Sequence, residues 1–347
     1  MDPFQPLQRN CDEPPAFVDP AAGGSGSERI TLLGNLALSG EASDVWGYFD
    51  ETTGKEYAIV GFIGNVTGIH IVDVSDPTNP LQVAIMDSIP GFDVKIWRNY
   101  VYTVTGSPID SGAIVDISNP AAPAVVGAFP SSHNIFIDQY GYMYSEEPGL
   151  RIFSLSDPLN PALIWRSGNA GHDAAVICNR LYDFHGFVAT NIYDVTNPEI
   201  PQLLGTIGES PMLQFHHSGW PSEDGNYLFI CDELGANSNS RPDITVWDIS
   251  DLSNPQFITS FNDENARVHN LYVIGDYAYV SYYAAGFRVF RISDPTQLIV
   301  VDEFDTSPSV VGREALDGAF GVYPFTRSGN IYVSDLETGL FIFSFNR

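Results

Sequence analysis

Seven histidines occur in this 347-residue chain. Four of them, His133, His172, His217 and His269, each open a short apolar run and are each followed by a polar residue: Asn134, Asp173, Ser218 and Asn270. Neutral imidazole is the commonest nitrogen ligand for metals, and several imidazoles around an open coordination position suit Fe, Cu, Zn or Ni. Short amides and carboxylates beside such rings can orient them. Asp44 and Asp93 begin comparable runs, SDVWGYF and FDVKIW. With Asp173 they are the candidate catalytic groups, as anionic ligands or as a general base. The expected cofactor is therefore a divalent transition metal held by His133, His172, His217 and His269. A structural reading competes with it, because a His-Asn or His-Asp pair at a repeated position can simply tie one strand to the next. His70, His185 and His216 fall outside the register and read as surface or filling residues.

These residues meet only if the elements carrying them are arranged in a ring, and the chain repeats itself in a way that predicts one. IVDVSDP at Ile71 is followed by IVDISNP at Ile114, IFSLSDP at Ile152, IYDVTNP at Ile192, VWDISDL at Val246 and VFRISDP at Val289. A degenerate copy, FIFSFN, ends at Asn346. β-Branched and aromatic residues suit a pleated strand, while Asp-Pro and Asn-Pro stop it and set a turn. The turn residues Asp76, Asn119, Asp157, Asn197, Asp251, Asp294 and Asn346 lie 43, 38, 40, 54, 43 and 52 residues apart. Periods of about 40 to 50 residues in an all-β chain point to propeller blades of four strands each. The expected fold is an all-β, seven-bladed β-propeller of four-stranded blades.

The seventh blade shows inner, second and third strands at Ala319 to Phe325, Asn330 to Asp335 and Leu340 to Phe345. Its outer strand is expected from the other end of the chain, at Ile30 to Leu38, which would close the ring and hide the edges. The four histidines then fall at the starts of four consecutive inner strands, where they converge on the axis. Residues 1–28, rich in Pro, Gly and Ser, read as a flexible leader, and 29–347 as the propeller domain. Two insertions, Gly235 to Asp243 and Asp305 to Asp317, are the loops to watch.

Composition narrows the partners. The formal net charge is −28, from 15 basic and 43 acidic residues, and Lys55 and Lys95 are the only lysines. Such a surface repels nucleic acid and anionic membranes and suits cations. No run is long enough to span a membrane and no signal peptide is visible. Of three cysteines, Cys178 and Cys231 sit in apolar runs and read as buried thiols, and Cys11 as an incidental one. The acidic turns lack a full EF-hand spacing, and no Walker loop, nucleophile elbow or dinucleotide fingerprint occurs. Trp46, Trp97, Trp220 and Trp247 are expected to pack between blades.

With its repeats aligned, the chain resembles the LVIVD-repeat proteins and, within them, the choice-of-anchor B family. The resemblance rests on SDVWGYFDETTGKEYAIVG at Ser43, HNIFID at His133, GHDAA at Gly171, HHSGW at His216, ICDELG at Ile230, HNLYV at His269, YYAAGFRVFRISDP at Tyr282 and YVSDLETGLFIF at Tyr332. It implies a β-propeller that is extracytoplasmic, secreted or at the cell surface, and implies no particular reaction. Phe92 stands where the family tends to have Arg, the segment CNRLYDFHG is short, and no anchor follows Phe345. The expected function is a surface-associated binding or interaction module, acting as a monomer on a small molecule, a polysaccharide or a surface protein. The alternatives are a metal-dependent enzyme, oxidative or hydrolytic, with its histidines at the axis, and a lyase-type acid/base enzyme acting on polysaccharide.

Overall fold

The same tight turn closes the third strand of six blades and shows why the repeat folds as it does. In this turn, opened by Asp or Asn and followed by Pro in five of the six and by Leu252 in the other, the side-chain oxygen of the first residue accepts a hydrogen bond from the backbone two residues on. Asp76 receives the Thr78 amide, Asn119 that of Ala121, Asp157 that of Leu159, Asn197 that of Glu199, Asp251 that of Ser253 and Asp294 that of Thr296, all at 3.0–3.2 Å. This local bond competes with strand continuation and turns the chain outward to the fourth strand.

The computed structural model describes residues 29–65, 67–168, 171–235 and 241–347. The leader expected over residues 1–28, and with it Cys11, lies outside the described residues, as does the middle of the Gly235 to Asp243 insertion. The strands form seven four-stranded antiparallel sheets. The first blade runs Glu41–Asp50, Lys55–Ile63, Gly68–Asp73 and Leu81–Asp87. The second runs Asp93–Trp97, Tyr100–Val104, Ser111–Asp116 and Ala124–Pro130. In the last blade the N-terminal strand Arg29–Leu36 pairs antiparallel with Gly339–Asn346, from Arg29 opposite Asn346 to Leu36 opposite Leu340. The ring is therefore closed by the first strand, as the repeat count requires.

Burial follows from position in the blade. In four blades the second-strand residue opposite the start of the repeat is a tyrosine that is almost fully covered: Tyr102 against Ile114, Tyr144 against Ile152, Tyr182 against Ile192 and Tyr279 against Val289. They fill the space between adjacent sheets, where burying one aromatic ring contributes about 1.5–3 kcal/mol. The four tryptophans are buried as expected. Outer strands such as Ala124–Pro130 are largely exposed. Cys231 is a buried free thiol, but Cys178 is disulfide-bonded and not the buried thiol its apolar run suggests.

The Asp305 to Asp317 insertion folds back over the fifth and sixth blades. Arg313 donates to Asp243 Oδ1 at 3.1 Å, to Asn262 Oδ1 at 2.8 Å and to the carbonyl of Arg241 at 3.1 Å. Arg267 donates to the carbonyls of Arg313 and Glu314. Arg313 thus ties the Asp305 to Asp317 insertion to Arg241 and Asp243, the described end of the other insertion.

Candidate axial metal site

The inner strands bring the expected residues into one ring. The backbone amides of Phe92, His133, His172, His217 and His269 each bond the second strand of their own blade at the same level. Their side chains follow one another around the axis. Phe92 lies 5.0 Å from His133, which is 4.4 Å from His172. His172 lies 4.7 Å from His217, which is 4.8 Å from His269, and Phe320 closes the circuit 4.1 Å from His269 (ring centroids). Ser43 occupies the remaining position, so Phe92 and Phe320 approach each other at 6.0 Å across it.

Hydrogen bonds fix which nitrogen of each imidazole faces the axis. His133 Nδ1 meets the carbonyl of Gly106 at 3.2 Å, His172 Nδ1 that of His217 at 3.2 Å, and His269 Nδ1 that of Phe320 at 2.6 Å. A carbonyl only accepts, so each Nδ1 carries the proton. His217 Nδ1 contacts Ser218 Oγ at 3.0 Å, and that hydroxyl already donates to the carbonyl of His269, so here too Nδ1 donates. All four rings are therefore left with Nε2 as the lone-pair nitrogen. The structural and the ligating roles fall to opposite ends of one ring, because the Nδ1 ends tie neighbouring strands while the Nε2 ends remain available. Burial and the neighbouring imidazoles push His172 and His217 well below the usual histidine range, and burial lowers His269 as well. For these three rings burial thus favours the neutral imidazole, the form that ligates.

Two residues from loops complete the site. Glu233 follows the second strand of the fifth blade, and its Oε2 lies 3.5 Å from His217 Nε2. Tyr283 sits in the tight turn after Tyr277–Tyr282 at φ 22°, a conformation a bulky side chain adopts only when its surroundings impose it, and its hydroxyl donates to Glu233 Oε1 at 2.6 Å. Ligating atoms of His172, His217 and Glu233 all fall within 4.8 Å of one another. The structure thus gathers two of the four expected ligands with a carboxylate that the repeat register does not mark, and leaves His133 and His269 flanking them.

The three candidate acids lie one layer deeper. Asp44 and Asp93 both bind the ammonium of Lys95, at 2.7 and 2.5 Å, and all three residues are buried. Each carboxylate also accepts an amide of the next blade, Val94 for Asp44 and Ile135 for Asp93. Burial opposes the charge on Lys95, but Asp44 and Asp93 outweigh it and raise its pKa. The ammonium rests 4.8 Å from the Trp46 ring. Burial pushes Asp44 up to about 7 with Lys95 pulling it back, and burial pushes Asp173 up to about 7. Asp173 accepts the amide of Ala174 at 2.6 Å.

The space above this layer is a cup of about 100 Å³, lined by the four histidines, Glu233, Tyr283, Phe92 and Phe320, with the acids at its base. Below it a narrow chamber of about 20 Å³ ends on Phe136, Trp220 and Tyr272. Behind the ring, between the third and fourth blades, Glu146 and Asp183 are wholly buried. Among the described residues no hydrogen bond reaches either carboxylate, although His185 Nε2 lies 3.2 Å from Asp183 Oδ2. Burial, then Asp183, raises Glu146 well above the carboxylate range.

Lys95 was legible in principle, since it stands two residues after Asp93 and so on the same face of the strand. Glu233 and Tyr283 lie outside the inner-strand register, and no periodicity signals them. His70 is buried against Phe62 at 4.0 Å, and His185 and His216 are buried too, so all three fill space rather than line the surface.

Residues 39–88, 92–130, 224–263 and 267–306 match the LVIVD repeat, and these stretches fall on the first, second, fifth and sixth blades. No curated protein matches the chain in sequence. Among solved structures it is similar to the RRP9 WD40 repeats, with TM-score 0.64, 8% identity, and coverage of 92% of this chain and 99% of that one. It is also similar to the Myceliophteria thermophila Cps50 (Swd1) β-propeller domain, with TM-score 0.61, 10% identity, and coverage of 91% and 99%. At such identities the likeness shows the propeller fold alone.

Proposed function

We propose, for a closed propeller that carries four LVIVD repeats, that the top of the axis holds a divalent transition metal ion through His172, His217 and Glu233, with open coordination positions facing the cup. The observation that carries this reading is the 3.5 Å approach of His217 Nε2 to Glu233 Oε2. With Nδ1 protonated, both atoms are acceptors, and only a proton or a cation between them makes the contact favourable. Two ligands about 2.0–2.2 Å from a common ion span such a separation.

Two imidazoles and one carboxylate with open positions form the donor set of metal sites that do chemistry, whereas structural zinc sites are closed by four protein ligands. Bound there, the ion would supply Lewis-acid polarisation of a ligand oxygen. The chain's own residues do the rest. Tyr283 holds Glu233 Oε1, which leaves Oε2 directed at the histidines. The carbonyls of His217 and Phe320 hold two of the imidazoles in place. The metal-dependent reading is therefore preferred to a lyase acting through His and Tyr alone, because Tyr283 already spends its proton on Glu233.

A binding module without chemistry is the second reading. It is favoured by the fact that Lys95 holds Asp44 and Asp93, two of the three acids a reaction would call upon. The setting we propose is extracytoplasmic, as in the choice-of-anchor B proteins the sequence resembles. The disulfide at Cys178 supports it, since such bonds persist in oxidising compartments. Elemental analysis of purified protein tests the metal: about one transition-metal ion per chain is expected, lost in His172→Ala. Protein that neither retains nor rebinds an ion after chelation would leave the binding module as the better reading.

A further inference from the structure

The wall of the cup opposite the metal-ligating histidines is aromatic. Going around the ring, Phe92 and Phe320 flank Ser43 on the far side of the axis from His172 and His217. Their planes stand at 84°, and the Tyr283 ring meets Phe320 at 77°. Phe92, Tyr283 and Phe320 pack with Leu336 and Ile63 as a small apolar cluster of their own, separate from the main core. Rings at right angles around a small space form the corner of an aromatic cage, whose π-faces attract cations and which a hydrated metal ion does not need.

The charge in the same cup points the same way. Asp44, Asp93, Asp173 and Glu233 line it, and Lys95 is the one lysine or arginine among the lining residues of the cup and the chamber beneath. Carboxylates outnumber that ammonium within a water-poor space, in a chain whose net charge is −28. An anionic ligand would lose its hydration against like charge, whereas a cationic one would be drawn in. The volume of about 100 Å³ corresponds to roughly three waters of liquid. That admits a compact head group and excludes a sugar ring from the floor.

From these observations we infer that the cup takes the ammonium head of a small organic cation, methylated or otherwise weakly hydrated, packed in the corner formed by Phe92, Phe320 and Tyr283. The inference rests on the same cup being the functional site, but not on a metal being bound in it. It names the substrate class of that site and excludes carboxylates and phosphates as the group that enters.

Choline and its uncharged carbon isostere, 3,3-dimethylbutan-1-ol, are the probes. Binding is measured by calorimetry on chelator-treated wild type, on metal-loaded wild type and on His172→Ala. The expected result is saturable choline binding in all three, with the isostere weaker by about three- to thirtyfold, the range one cation–π contact supplies. Phe320→Leu and the half-buried rim variant Phe92→Leu should each weaken choline several-fold and leave the isostere unchanged. Equal affinity for the two probes would overturn the inference, as would folded Phe320→Leu and Phe92→Leu proteins that bind choline like wild type. A chain that binds metal but shows no saturable choline binding sinks this inference and leaves the metal reading intact. Choline binding by a chain that holds no metal does the reverse.

Discussion

Replacing Lys95 by Met is the perturbation that most directly probes how the base of the cup is held. Methionine fills similar volume but removes the one positive charge shared by Asp44 and Asp93, each about 95% or more buried. Breaking a buried ion pair by removing one partner costs about 3–5 kcal/mol, because the partner left behind is an unsolvated charge. For a folded domain of roughly 320 residues, at about 2.1 cal/mol/K per residue, this corresponds to a fall in Tm of about 4–7 °C.

The pH dependence of that loss identifies its cause. Asp44 sits at about 7 in the folded chain against an ordinary aspartate value of 3.8, even with Lys95 beside it. As pH falls through about 7, the folded state therefore takes up a proton that the unfolded chain does not, and folding gains stability. Without Lys95 the carboxyl is raised further, so Lys95→Met should be most destabilised at pH 8 and should recover much of its deficit at pH 5. Differential scanning calorimetry of both proteins at the two pH values, with Asp44→Asn added to the variant, reads this out. A deficit of equal size at both pH values would refute the reasoning and assign the effect to packing against Trp46.

Other consequences can be measured alongside. Deleting residues 29–36 removes the strand that closes the ring and exposes the edge of Gly339–Asn346, so Tm should fall by about 5 °C or more, with aggregation; an unchanged melting curve would contradict closure. Glu146→Gln relieves the unpaired carboxylate facing Asp183. Since the folded-state pKa of Glu146 lies above its ordinary value, stability is lost as pH rises, and the variant's gain in Tm should grow from pH 5 to pH 9. Tyr283→Phe keeps the ring but frees Glu233 Oε1, and should weaken metal binding by about 10–100-fold at an unchanged melting temperature. Equal metal affinity in the two proteins would remove Tyr283 from the site.

The reach of the sequence can be judged from particular residues. The Asp76, Asn119 and Asp157 turns are local chemistry, so they are readable from the chain alone and count the blades. The closing strand was also legible, because an incomplete seventh blade leaves a vacancy that only an apolar run at the other terminus can fill. Placing four histidines at one level of the ring required only the repeat. Which of them converge with a carboxylate did not follow, because that depends on how far the loop carrying Glu233 and the strained turn carrying Tyr283 lean over the axis. Those are tertiary displacements with no period. Lys95 carries a partial signal: it shares a face of its strand with Asp93, but its second aspartate lies 51 residues away in sequence and only the fold brings it alongside.

On the proposed reading, His172, His217 and Glu233 hold one ion. An anomalous-difference map, collected at the absorption edge of the metal found in the purified protein, tests it most directly. One peak is expected within about 2.0–2.2 Å of His172 Nε2, His217 Nε2 and a Glu233 oxygen. No peak at the axis after metal soaking, or a peak bound elsewhere with Nε2 of both histidines unengaged, would contradict it.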